Sequence, residues 1–182
     1  MEIIKPDLLK AVLAIRAGKV LICPTDTVYG LVCDAGNKKA VKKIFQIKKR
    51  PENKLLPIFV NGIKMAQKLA EINKKQEKFL GDVWPGATTV ILRSKKGGRT
   101  VGLRMPKHKF IAGVIKNLGR PLAETSANIS GKPPTTKIKE VTAYFKDQKD
   151  QPDFILDAGD LSPAKPSRVI DLTGSKPVVL RK

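Results

Sequence analysis

Leu8, Val12 and Ile15, with Leu9 and Leu13 beside them, recur at helical spacing, which predicts a helix that opens near Asp7 and stops at Gly18. Residues 20–23 are an unbroken apolar run of buried-strand type, ended by Pro24. Residues 25–30 therefore fall on a turn at the C-terminal end of that strand, where open α/β sheets bind ligands. Val41, Ile44 and Phe45 predict a second helix that Pro51 stops, which leaves Lys48 and Arg50 at a helix end. Residues 55–60 read as a strand whose Pro57 points to an edge or a bulge. Met65, Ala66 and Leu69 suggest a helix, and Phe79, Leu80 and Val83 another, before a break at Trp84-Pro85-Gly86. Residues 88–93 and 100–105 form a hairpin turning at Lys95 to Gly98. A helix over 110–118 closes at Gly119, and a short strand over 121–124 leads into Ser126. A helix around Val141 and Tyr144 precedes strands at 154–156, 169–172 and 178–180. Hairpins mixed with crossovers exclude a purely parallel doubly wound sheet. The expected fold class is α/β of the α+β type, a twisted mixed parallel and antiparallel sheet flanked by helices. The loop over 158–167, with two prolines, is the candidate for a mobile lid.

A length of 182 residues with 41% hydrophobic content predicts one domain over residues 1–182. Charge sharpens the picture: 36 Lys and Arg against 16 Asp and Glu give +20, which attracts nucleic acid, nucleotides or anionic lipid without choosing among them. Lys38, Lys39, Lys42 and Lys43 read as a solvated helix face. Cys23 and Cys33 lack the paired spacing of a zinc or redox site, which fits a reducing cytoplasm. No apolar run approaches the roughly 20 residues of a membrane span, and the N-terminus lacks a signal-peptide pattern, so a soluble, unexported, cytoplasmic protein is expected.

Walker, GxGxxG and HExxH motifs are absent. His108, in a predicted loop with no nucleophile or orienting acid at recognisable spacing, reads as a surface histidine. The chemistry-bearing segments are Pro24 to Gly30, Lys48 to Pro51 and Ser126 to Gly131, which gather cations, hydroxyls and glycine where the chain leaves regular structure. A nucleotide-using enzyme without a Walker loop needs that combination for phosphate oxygens and close backbone approach. Each residue has a plain alternative. Lys48 and Arg50 complement a helix dipole, Thr25, Thr27, Ser126 and Asn128 suit turns, and Tyr29 suits a core.

Together the segments resemble the YrdC family, the threonylcarbamoyl-AMP synthases. The ordered match comprises PT(D/E)TVYG at residues 24–30, K-x-R-P at 48–51, WPG at 84–86 and G-x-R-x-P at 102–106. It continues through S-A-N-x-S-G at 126–131, Ser167 before an apolar strand, and the terminal Leu180-Arg181. The resemblance implies a YrdC-like three-layer fold in the short, single-domain form. It also implies a reaction of L-threonine, bicarbonate and ATP, with Mg2+, giving threonylcarbamoyl-AMP and pyrophosphate for tRNA threonylcarbamoyladenosine (t6A) modification. By the same resemblance Lys48, Arg50, Ser126 and Asn128 are catalytic, and Arg50, Lys54, Thr100, Ser126, Asn128 and Arg181 bind ATP. Thr25, Arg104 and Ser167 bind threonine, while the metal ligands are unassigned. Departures are Phe59 where some members carry a threonine-contacting histidine, Asp26 for glutamate, Glu124 where many have a small or apolar residue, and Pro134 where some have a serine. Small-molecule substrates, tRNA or RNA affinity and hand-off to the threonylcarbamoyl transferase machinery are the implied partners. Two other readings stay open: a basic RNA-binding module without catalysis, and a carbamoyl-adenylate-forming relative like the YrdC-like part of hydrogenase-maturation proteins.

Overall fold

Asp7 opens the first helix by accepting from the backbone N–H of Lys10 at 2.8 Å, and positive φ at Gly18 follows its end. The structure, a computed structural model, describes residues 1–182. The elements run β1 (Glu2–Ile4), α1 (Leu8–Arg16), β2 (Leu21–Cys23), β3 (Gly30–Asp34), α2 (Lys38–Lys48), β4 (Ile58–Phe59), α3 (Ile63–Leu69) and α4 (Lys74–Val83). They continue with β5 (Thr88–Arg93), β6 (Thr100–Arg104), α5 (Lys109–Leu118), β7 (Leu122–Ser126), α6 (Ile138–Phe145), β8 (Phe154–Leu156), β9 (Arg168–Asp171) and β10 (Val178–Arg181).

All ten strands join one mixed sheet in the order β1-β8-β2-β3-β7-β4-β6-β5-β9-β10. Alternation along the central strands makes the layers. Val20, Ile22, Leu31 and Cys33 face one cluster with Ala40, Ile44 and Ile47 of α2 and Val141 and Phe145 of α6. Leu21, Cys23 and Val32 face another with α1 and α5. The helices α3 and α4 close a third cluster over Val90, Leu92, Leu103 and Ile170. Burial pushes both cysteine thiols up in pKa, and neither forms a disulfide.

Three expectations are corrected. The strand predicted over 55–60 shrinks to β4, and it lies inside the sheet between β7 and β6 rather than at an edge. Pro57 precedes its two ladder residues, so its missing N–H costs nothing there, and its carbonyl accepts from Glu124 N–H at 2.9 Å. The strands β1 and β3 add to the predicted set. His108 is half-buried at the start of α5, and burial, partly opposed by the Asp26 charge, lowers its pKa. No helix is long and apolar enough to cross a membrane.

Candidate active site

The last turn of α2 sets the first wall of the site. Lys49 adopts a left-handed conformation at φ 51°, its N–H bonds Gln46 O at 3.0 Å, and Arg50 N–H bonds Phe45 O at 2.9 Å. This Schellman closure turns the chain so that Arg50 lines a cleft. Lys48 lies one residue earlier and is only 2% exposed. Its ammonium donates to Ser126 O at 2.7 Å and to both Asn128 O and Asn128 Oδ1 at 2.9 Å. A lysine has three N–H donors and all are occupied, so Lys48 fastens the Ser126-Ala127-Asn128 turn. Burial first, then the Arg50 charge, lowers its pKa to about 8, while Glu124 acts in the opposite sense. Ser126 Oγ donates to Asn128 Oδ1 at 2.7 Å, and Asn128 Nδ2 donates to Ile129 O and Lys132 O. Ser126 still faces the cleft.

The cleft holds about 140 Å³ and takes Arg104 from β6, Glu124 and Ser126 from β7, Arg181 from β10, and Arg50 and Ser167 from the segments after α2 and before β9. Arg104, on β6, is 2% exposed. It donates from Nε to Gly86 O at 3.1 Å, from Nη1 to Thr27 Oγ1 at 3.3 Å and from Nη2 to Asp26 Oδ1 at 2.5 Å. Its guanidinium lies 5.4 Å from the ring centroid of the fully buried Phe59, so an aromatic face supports it. Three of its five N–H groups are used, which leaves two for a ligand. Arg50 donates to Leu55 O at 3.0 Å, but its Nε is buried with no partner, and burial lowers its pKa. Arg181 bonds Ser167 O at 2.8 Å and Ser167 Oγ at 3.2 Å, and Thr89 Oγ1 meets the same hydroxyl at 2.9 Å.

Thr25 stands behind this wall. Its hydroxyl donates to Val28 O at 2.7 Å and accepts from Thr27 N–H at 3.1 Å, so it builds the turn while Thr27 lines the cleft. Lys54 and Thr100 are not gathered in. Lys54 is exposed on a separate groove of about 530 Å³ beside Val41, Phe45 and Arg99, on the other face of β7, since Ala123 lines that groove and Glu124 the cleft. Thr100 opens β6, four residues or about 13 Å of strand from Arg104, and lines a third depression. The loop proposed as a lid is tethered at its start, where Tyr29 OH donates to Gly159 O at 2.6 Å, and at its end by Ser167. Thr27 and Asp26 were missed as site residues, although both stand in the first motif. No cluster of three or more His, Cys, Asp or Glu side chains forms a metal cage.

A mixed sheet and the end of α2 that together bring three arginines and several hydroxyls to one small polar cleft define an α/β domain built to receive a compact, charged ligand. The chain belongs to the Sua5/YciO/YrdC family, whose model, described as telomere recombination, matches residues 13–182. It is 38% identical to the threonylcarbamoyl-AMP synthase of Pyrococcus abyssi over 92% of this chain and 51% of the relative. It is 34% identical to the putative threonylcarbamoyl-AMP synthase of Methanocaldococcus jannaschii over 100% of this chain and 84% of that protein. Among solved structures, P. abyssi Sua5 complexed with L-threonine superposes with TM-score 0.86 at 35% identity, covering 99% of this chain and 56% of that one. The chain thus spans about half the length of the Pyrococcus relative.

Proposed function

We propose that residues 1–182 form one domain that acts as an L-threonylcarbamoyladenylate synthase, a nucleotidyltransferase. L-Threonine and bicarbonate give N-carboxythreonine, whose carboxylate attacks the α-phosphorus of ATP and releases pyrophosphate, as the first step of t6A formation. The observation that carries this reading is the convergence of Arg50, Arg104 and Arg181 on one cleft, with a buried Arg50 Nε that lacks an acceptor. Two anions must meet there, so positioning and charge neutralisation are the main catalytic requirements.

In this reading Arg50 and Arg181 hold the phosphates, and Ser126 turns its hydroxyl to the nucleotide. Lys48 and Asn128 keep the Ser126 turn in place. Arg104 takes the threonine carboxylate through its two remaining N–H groups, and Thr27 and Ser167 close that end. At about 140 Å³ the cleft suits a small amino acid rather than a nucleotide, whose sites run to roughly 300–1,000 Å³. ATP therefore lies across the cleft mouth. Mg2+ would be carried by the nucleotide phosphates and would supply charge neutralisation there; the residues of the cleft form no cage for it.

The test follows ATP consumption with L-threonine and bicarbonate, reading pyrophosphate and a threonine-dependent adenylate by mass. Product that Arg50→Ala lowers at least about 100-fold supports the reading. Absence of threonine-dependent product in the unaltered protein overturns it. The net charge of +20 favours an accompanying affinity for tRNA or for the transferase that consumes the labile mixed anhydride.

A further inference from the structure

Glu124 is the only acidic residue lining the cleft, and it is 8% exposed. Arg50, Arg104, Ser126, Ser167 and Arg181 each bond a protein partner through their side chains, yet neither a hydrogen bond nor an ion pair reaches the Glu124 carboxyl. A glycine makes room for it. Glu124 sits opposite Val32 on β3, and its Oε1 reaches along to Gly30, where a Cβ would stand only 3.1 Å away. The same face of the sheet carries Arg104: Leu122 and Arg104 both pair with Phe59, and Glu124 lies two residues beyond Leu122. Two strand spacings, about 10 Å, separate β7 from β6, and Glu124 and Arg104 both line the cleft between them.

A carboxyl on a residue only 8% exposed, with charge attraction but no protein hydrogen bond, calls for an explanation, since it gives up most of its hydration. In its ionised form Glu124 repels phosphate and attracts a cation. Arginines for an anion beside one carboxyl for a cation form the charge pattern of a zwitterionic α-amino acid. We propose that Glu124 receives the α-ammonium group of the amino-acid substrate and takes its proton, freeing the nitrogen to attack bicarbonate. This rests on the synthase reading above. The step balances: the ammonium, the Glu124 carboxylate and HCO3− give the N-carboxylate, a protonated Glu124 and one water. The C–N bond forms from the nitrogen lone pair, and a C–O bond of bicarbonate breaks as water leaves. Arg104 on β6, Lys48 on α2, Arg181 on β10 and Asp26 in the turn after β2 are the charged groups that face the carboxyl. Burial raises its pKa to about 7, against the pull of Arg104, Lys48 and Arg181, which suits a base that works at neutral pH.

The test measures binding of L-threonine and of 2,3-dihydroxybutanoate, which carries hydroxyl in place of the amine, to the unaltered protein and to Glu124→Gln by calorimetry without ATP. Glu124→Gln is expected to weaken L-threonine about tenfold or more, to leave the dihydroxy acid within about twofold, and to slow threonine-dependent pyrophosphate release about 100-fold or more. Equal losses for both ligands, or none for either, overturn the proposal. So does retained threonine affinity with a raised Mg2+ requirement, which would make Glu124 a metal group. A second measurement needs no variant. The carbon-13 carboxyl signal of Glu124 should titrate at least about one pH unit lower with saturating L-threonine, and an unmoved midpoint overturns the proposal. An unaltered protein that neither binds nor uses L-threonine sinks the synthase reading and this one together. An active protein whose Glu124→Gln variant behaves identically sinks this one alone.

Discussion

Arg104 and Glu124 share one face of the sheet, but Arg104 is braced by Asp26, Thr27, Gly86 and the Phe59 ring, while no protein hydrogen bond reaches the Glu124 carboxyl. The difference has a consequence for stability. The Glu124 pKa rises from 4.5 to about 7 on folding, chiefly by burial. Between those values the folded protein keeps a proton that the unfolded chain has released, so stability falls as pH rises through that window. Below pH 4.5 the full stability is present, and above about 7 the loss is complete. Glu124→Gln cannot ionise. It should match the unaltered protein in urea denaturation at about pH 4 and exceed it by up to about 3 kcal/mol at pH 8. Parallel stability curves across that range would contradict the assignment. At this scale the sequence motifs were informative about which residues meet, since Arg50, Arg104, Ser126, Ser167 and Arg181 do line one cleft. They were silent on occupancy. That Lys48 has no free N–H, or that Asp26 grips Arg104, depends on contacts between residues some 78 to 80 positions apart.

At the scale of elements, the joint between α2 and the Ser126 turn is the part on which the cleft depends. Besides the three bonds from the Lys48 ammonium, Ser130 N–H donates to Lys48 O at 2.9 Å, so the helix end and the turn move as one piece. Lys48→Met keeps the stem but leaves Ser126 O, Asn128 O and Asn128 Oδ1 buried without that donor. A loss of about 2–3 kcal/mol in urea denaturation is expected, along with weakened adenylate formation. Lys42→Met, on the exposed face of the same helix, should stay within about 0.5 kcal/mol. Equal effects from the two would remove the clamp from the argument. Periodicity sufficed for α1, α2, α4 and α5 and for the β5/β6 hairpin, because each buries a regular stripe or pairs locally. It failed for β1, β3 and the length of β4. A two-residue strand has no pattern of its own, and β4 exists only because β7 and β6 offer ladder groups on either side.

On the scale of the molecule, the strand order brings β7, β6, β9 and β10 within reach of the α2 terminus, and no local pattern encodes that order. The charge is organised differently. Arginines converge on the cleft, whereas exposed lysines such as Lys38, Lys39 and Lys42 on α2 and Lys74, Lys75 and Lys78 on α4 spread over the surface. A small buried cluster suits a few fixed oxygens, and a dispersed one suits a polyanion whose counterions are released on binding. Affinity for tRNA should therefore fall about 1,000-fold between roughly 50 and 200 mM salt if six or more phosphates are neutralised. Combined replacement of Lys38, Lys39 and Lys42 by Glu should weaken tRNA binding and flatten that salt slope while pyrophosphate release with free substrates persists. Arg50→Ala should do the opposite, abolishing release with tRNA affinity retained. Loss of both properties in either variant would mean that one surface serves both ligands, and the division of charge argued above would fail.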